Sequence, residues 1–240
     1  MSNFFRNVWF VVMFFVKFYM AWNEKLIESN RFLRGVRDFD TKIKRSMKFH
    51  PERMKPSFAL KVWREFRFSM LIEVAVLYGI ILGLAFLLSE FLPVTNWSIT
   101  TYGSNLIFAP VSAGLESSEV IFHILSILFF IVLFFFLPFL ANWEEELFRR
   151  KRHKWKPLVI QALVFGPVHL FSGSSIATCV AIIFGGLFLG YKYRVAFLKE
   201  MKKTDNNNQQ SEDRGVLTST AYHSMYNSLA FLIGLIGLLI

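Results

Sequence analysis

The segment IFHILSILFFIVLFFFLPFL, residues 121–140, is followed one residue later by NWEEELFRR, residues 142–150. The first segment contains no Lys, Arg, Asp or Glu, and it reaches the roughly 20 residues that a helix needs to cross a bilayer. Acidic side chains at the end of such a helix are costly unless they face protein or a wet cavity. The stretch therefore predicts a membrane helix whose terminal glutamates are functional candidates.

The same glutamates allow a simpler interpretation. On a helix, Glu145 and Arg149 are four residues apart and share a face, as do Glu146 and Arg150. Such pairs are typical of a solvated, salt-bridged helix end just outside a membrane. The stretch alone leaves both interpretations open.

The composition of the whole chain is that of a membrane protein. Of its 240 residues 54% are hydrophobic and 29 are Phe, and the mean hydropathy is +0.43. The net charge of +10 arises from Lys and Arg beside the apolar runs, where the positive-inside rule places cytoplasmic loops. We therefore expect a multi-pass protein of the cell membrane with cytoplasmic basic loops, whose partner is the lipid bilayer and not nucleic acid. The single Cys179 excludes a disulfide framework and a cysteine-based metal site.

Apolar segments predict an all-α, polytopic transmembrane helical bundle. The N-terminal residues 4–20 either add a span or lie in the interface, so we expect five to six spans. Residues 1–69 would form this hydrophobic or interfacial helix plus a basic cytoplasmic segment, and residues 70–240 the membrane-embedded domain. The five main spans are predicted at residues 70–92, 120–143, 157–171, 176–191 and 216–240.

Small and polar residues add two structural expectations. Gly79 and Gly83 form a pair suited to close helix packing, and so do the adjacent Gly185 and Gly186. The polar residues 192–214 predict a disordered cytoplasmic loop.

Two further polar sites interrupt apolar helices. His169 follows Pro167, which should kink or open its helix, and His223 shares a helix face with Asn227. Each group alone fits a hydrogen-bonded packing residue. Together with Glu144 they predict a conical or polar intramembrane cavity, into which three separate helices direct their polar side chains.

The order of these motifs resembles the CAAX prenyl-protease and bacteriocin-processing family of intramembrane proteases, also called type II CAAX endopeptidases. The resemblance covers about residues 120–240, where the three motifs occur in order within separate membrane helices. The matches are Glu144-Glu145 with Phe148-Arg149, then Phe165 with His169, then His223 with Asn227.

The resemblance implies an endopeptidase that hydrolyses a peptide bond in a hydrophobic or lipidated peptide. Glu144 would act as general base, with His169 helping to orient or activate the water. His223 and Asn227 would donate hydrogen bonds to the oxyanion of the tetrahedral intermediate.

The family pattern leaves a supporting role to Glu145 and Arg149, which would hold the catalytic side chains in place. We expect no cofactor; zinc is the alternative, for which Glu144, His169 and His223 would be the ligands. The absence of a His-Glu-x-x-His helix argues against a required metal.

Two departures from the family pattern bear on activity. Arg150 stands where family members commonly have Gly, and the interval from Glu144 to His169 is short. From a turn near His153, these two side chains would differ in depth by roughly 10 Å. A non-catalytic family member, acting as a bacteriocin-immunity factor or membrane scaffold, is therefore the alternative. A transporter that uses the polar residues as a proton relay is a third reading, which the lack of an internal repeat disfavours.

Overall fold

The computed structural model describes Arg53 and residues 55–98 and 120–239 of the chain. Within these ranges the chain is all helical, without a β-strand, which confirms the predicted fold class for this part. The predicted N-terminal helix, most of the basic segment and the polar segment 99–119 lie outside the described residues. The six α-helices are α1 (Pro56–Arg64), α2 (Phe68–Phe91), α3 (Val120–Phe148), α4 (Trp155–Val168), α5 (Ile176–Lys203) and α6 (Asn208–Leu239).

The chain forms two compact units, Met1–Phe58 and Ala59–Ile240. In the first unit, the guanidinium group of Arg53 lies 5.9 Å from the ring centroid of Phe58. The second unit holds every predicted site residue.

Among the described residues, three helices are long and apolar enough to cross a membrane, which indicates a membrane protein. They are α2, the Ile124–Phe148 part of α3, and α5. Large apolar side chains on these helices are exposed, among them Phe86 at 63% and Phe135 at 50%, as expected for side chains that meet lipid. The predicted count of five to six spans is not confirmed, because α4 has only 14 residues and the first half of α6 is polar.

Helix α5 packs against α2, α4 and α6, and α6 also packs against α3. The contact between α4 and α5 is close because it is made through glycine. A Cβ atom on Gly186 would lie 3.1 Å from Cα of Ala162. The predicted tight packing at Gly185 and Gly186 is therefore confirmed, but that at Gly79 and Gly83 is wrong, since no described atom lies within 4 Å of a Cβ there.

The predicted disordered loop over residues 192–214 is also wrong. Helix α5 continues to Lys203 and α6 begins at Asn208, so a short turn joins them. This turn contains Asp205 and Asn206 with φ values of 44° and 70°, a region that Asp and Asn enter more readily than most residues. The polar residues 192–203 and 208–214 thus form the last turns of α5 and the first turns of α6, two helices that pack against each other.

Helix α4 ends close to Pro167, as its sequence predicts, and the chain continues as a 3-10 helix, His169–Ser172. The turn to α5 needs the left-handed φ of 87° at Gly173. Ser98 donates a hydrogen bond to the carbonyl of Gly173 (2.7 Å), and Ile176 N–H donates one to the carbonyl of Trp97 (3.0 Å). The α4–α5 turn therefore lies beside the segment that follows α2.

Candidate functional site

A pocket of about 370 Å³ lies between α2, α3, α5 and α6 and reaches the end of α4. Its wall includes all four residues that the sequence assigns to catalysis: Glu144, His169, His223 and Asn227. They come from α3, the 3-10 helix and α6, so side chains up to 83 positions apart in the sequence meet at one pocket. Aliphatic side chains of α2 and α3 form a large part of the remaining wall.

Glu144 is the acidic side chain of this pocket. Its carboxylate is 34% exposed, and Oε2 lies 3.8 Å from Nε2 of His223. The neighbouring Trp143 points outward and is 37% exposed. Glu144 thus combines access to the pocket with a nearby imidazole, which is the arrangement a general base needs.

Glu145 and Arg149 lie behind the pocket and are completely or almost completely buried. Glu145 Oε1 accepts a hydrogen bond from His223 Nδ1 at 3.0 Å, and its Oε2 pairs with Arg149 Nε at 3.3 Å. Because Nδ1 of His223 is engaged by Glu145, Nε2 is the ring nitrogen that faces Glu144. The pair therefore fixes the orientation of His223.

Arg149 links four helices. It pairs with Glu145 on its own helix and donates a hydrogen bond to the carbonyl of Gly186 in α5 (3.3 Å). Its guanidinium group lies 4.5 Å from the ring centroid of Phe165 in α4, a cation–π distance. Through Glu145 it also reaches His223 in α6. Replacing it would disturb the packing of the site as well as its charge.

The ring of Phe165 lies in contact with both His169 and His223. The ring edge of His169 contacts Phe165 at 4.8 Å between centroids, and Phe165 in turn contacts His223 at 5.8 Å. Nδ1 of His169 is 2.8 Å from the carbonyl oxygen of Phe165. In the described part of the chain no carboxylate forms an ion pair with His169. The Phe165 of the predicted motif thus serves as the spacer between the two histidines.

The depth of each residue follows from the helical pitch of about 5.4 Å. On α6, Asn227 lies one turn beyond His223, and Phe231 lies one turn further. Helix α3 runs in the opposite direction, so Leu140 and Leu137, which precede Glu144 in the sequence, lie about one and two turns from it toward the same side. The pocket is therefore polar where α3 and α6 bring Glu144 and His223 together, and aliphatic beyond.

Sequence reasoning missed the small hydroxyl groups in the pocket wall, which belong to Ser172, Ser174 and Thr178. Ser172 donates a hydrogen bond to the carbonyl of His169 (2.7 Å), and the Thr178 hydroxyl lies 3.0 Å from that of Ser175. In the sequence, Ser-Gly-Ser-Ser has the composition of an ordinary turn. The only signal in the sequence is that this turn begins three residues after His169 of the predicted motif.

The zinc alternative requires Glu144, His169 and His223 to converge as ligands. Among the described residues, no three His, Cys, Asp or Glu side chains are grouped as a metal site. The separation of the two histidines by Phe165 accounts for this. In this arrangement the three side chains do not fit a zinc site.

Comparison with known proteins adds no relative: no family model, curated protein or solved structure matches the chain. The fold and site thus define a helical membrane protein with a glutamate–histidine–asparagine pocket.

Proposed function

We propose that the protein is an intramembrane endopeptidase that hydrolyses a peptide bond of a hydrophobic or lipidated peptide. The observation that carries this proposal is the meeting of Glu144, His169, His223 and Asn227 at one pocket. The resemblance of the motifs to type II CAAX endopeptidases supports the same activity. The aliphatic walls favour an apolar substrate.

In the proposed reaction, the Glu144 carboxylate removes a proton from water, and the oxygen of that water adds to the carbonyl carbon of the peptide bond. The oxyanion that forms accepts hydrogen bonds from Asn227 and from Nε2–H of His223. In this step both ring nitrogens of His223 carry a hydrogen, because Nδ1–H donates to Glu145 at the same time. The C–N bond then breaks as Glu144 returns the proton to the leaving nitrogen. His169 lines the same pocket and would help to orient the water.

The buried pair behind the pocket supports this assignment. Glu145 holds His223 through Nδ1, so that Nε2 faces the reacting atoms. Fixed donors in a site of low dielectric constant stabilise developing negative charge better than water does, because they need no reorganisation. The contacts of Arg149 with Gly186 in α5 and Phe165 in α4 help to hold Glu145 and His223 in place.

We further propose that α4 and α6 lie in the membrane with α2, α3 and α5, giving five spans of a multi-pass cell-membrane protein. A sixth would come from the predicted N-terminal span at residues 4–20. The basic turn at residues 149–156 and the α5–α6 turn would face the cytoplasm. The Lys and Arg residues of the basic turn, and Lys202 and Lys203 at the end of α5, support this orientation under the positive-inside rule.

Cleavage of short hydrophobic and prenylated peptides by the purified protein in liposomes tests the activity. We expect Glu144→Gln to abolish cleavage and to leave the melting temperature unchanged, because Glu144 is partly exposed. Glu90→Gln, which changes an exposed glutamate of α2, is the matched control and should retain full activity. Activity that survives a strong chelator would agree with the absence of a zinc ligand set. Loss on chelation with rescue by zinc would overturn the proposed roles.

A non-catalytic binding protein is the second candidate. It is favoured by the position of His169, whose Nδ1 is engaged by the Phe165 carbonyl and which has no ion pair with Glu144. In that case the wild type and Glu144→Gln would be equally inert toward peptides. Both would still protect cells in a bacteriocin-sensitivity assay.

A further inference from the structure

The pocket has two chemically different walls. Helices α2 and α3 contribute mainly aliphatic side chains, such as Leu82 and Leu137, with Tyr78 among them. The α4–α5 turn and the first turn of α5 form a hydroxyl-bearing wall with Ser172, Ser174 and Thr178, beside His169. Ordered water needs two to four polar partners, and this cluster of small hydroxyl groups supplies more of them than the aliphatic wall does.

The end of the pocket next to the basic turn is closed by buried side chains. Phe148 and Arg149 are 3% and 2% exposed, and Glu146 is 6% exposed. Arg150 binds Glu146 and donates a hydrogen bond to Asp213 at 2.8 Å, which joins the end of α3 to the first turns of α6. Bulk water on this side is therefore separated from the pocket by a layer of ion pairs and aromatic rings.

The other end of the hydroxyl-bearing wall reaches the surface. Ser172 and Ser174 are partly exposed, and they belong to the α4–α5 turn. The hydrogen bonds from Ser98 and Ile176 place this turn beside the residues after α2, at the opposite end of the bundle from Arg150. A line of hydroxyl groups thus runs from that surface toward the catalytic side chains.

We propose that this wall is a water passage, which supplies Glu144 from the end of the bundle opposite the basic turn. The role of this passage in catalysis rests on the proposed hydrolytic function, since water is a substrate of that reaction. Whether water enters the passage is a separate question, which can be tested without measuring cleavage.

The test is cysteine accessibility, for which this chain is suited because Cys179 is its only cysteine and is 3% exposed. In a Cys179→Ala background, Ser174→Cys and Thr178→Cys probe the passage, and Ala85→Cys probes the aliphatic wall of the same pocket. Lys151→Cys, at an exposed position of the basic turn, marks that side of the membrane. Each variant is treated in sealed vesicles of both orientations with a charged, membrane-impermeant methanethiosulfonate reagent.

We expect both passage variants to react from the side opposite to the one that labels Lys151→Cys. They should react at least about tenfold faster than Ala85→Cys, because a thiol in apolar surroundings has a raised pKa and forms less thiolate. Using two passage positions protects the test against one variant that fails to fold. Unchanged elution of each variant in gel filtration shows that its fold is kept.

Three results would overturn the passage: labelling of Thr178→Cys from the basic side, no labelling at either passage position, or equal labelling of Ala85→Cys. If the wild type cleaves no peptide but the expected labelling occurs, the proposed activity fails and the passage stands. If cleavage occurs and labelling does not, the activity stands and the passage fails.

Discussion

Glu145 Oε1 lies 3.0 Å from Nδ1 of His223, although the two residues are 78 positions apart in the sequence. This contact joins α3 to α6 in a region where Glu145 is fully buried. Its negative charge is balanced by Arg149, which is also buried. The contact therefore links the stability of the helix pair to the orientation of a predicted catalytic side chain.

Removing one partner of the buried Glu145–Arg149 ion pair should destabilise the protein more than removing both. Glu145→Gln removes the ion-pair partner of Arg149, and we expect the free energy of unfolding to fall by about 3 kcal/mol. The double variant with Arg149→Met should lose less than Glu145→Gln alone, because no buried charge is then left without its partner. Denaturant unfolding in detergent measures this. Glu200→Gln, which removes a weak pair with Lys203 and leaves an amide oxygen that can still accept the 3.5 Å hydrogen bond from Gln210, is the control.

Asn227 should affect catalysis more than substrate binding. If it donates to the oxyanion, Asn227→Ala should lower kcat by about 10²-fold and change KM little. Ser228→Ala is the matched control, because Ser228 donates only to the Ser224 carbonyl on its own helix. A rise in KM at constant kcat would instead show that Asn227 binds the ground state of the substrate.

The spans and the site differ in how far the sequence predicts them. The apolar run before Glu144 and the region 70–92 carry a local composition signal, and the structure places α3 and α2 there within a few residues. The first turns of α6 carry no such signal, because they are polar on every side. Their helix is held by distant partners: Arg150 binds Asp213, and Glu65 binds Arg214 across 149 positions.

The same distinction applies within the candidate site. The motifs predict that Glu144, His169 and His223 converge, and all three do line the pocket. They do not predict that the ring of Phe165 separates the two histidines, since this depends on how far α4 enters the bundle. That depth is set by the glycine contacts between α4 and α5, a property of packing and not of spacing.

Two helical glycines should respond in opposite ways to replacement by alanine. A Cβ atom on Gly166 would lie 2.3 Å from the carbonyl oxygen of Cys179, so Gly166→Ala must push α4 and α5 apart. We expect it to cost about 1–3 kcal/mol and to lower activity by moving His169. Gly79→Ala enters open space on α2 and should be neutral or stabilise by up to about 1 kcal/mol. Melting temperatures in detergent measure both; equal effects would contradict the packing described for α4 and α5.

The ion pair between Glu65 and Arg214 should make stability depend on pH. Two hydrogen bonds of 2.7 and 2.9 Å join them, and these bonds from Arg214 lower the pKa of Glu65 below its usual range, outweighing the opposing effect of burial. The stabilisation is therefore complete above the usual glutamate pKa and is lost as the pH falls through the lowered value. Both side chains are partly exposed, so we expect no more than about 1 kcal/mol.

Melting curves of the wild type and Glu65→Gln between neutral and acidic pH measure this contribution. The wild type should be the more stable protein at neutral pH, and the difference should shrink toward zero as Glu65 becomes protonated. High salt should reduce the difference at neutral pH, because it screens partly exposed charges. Glu90→Gln, which lacks an ion pair among the described residues, should show no such pH dependence. A difference that stays constant down to acidic pH would mean that Glu65 acts through packing and not through its charge.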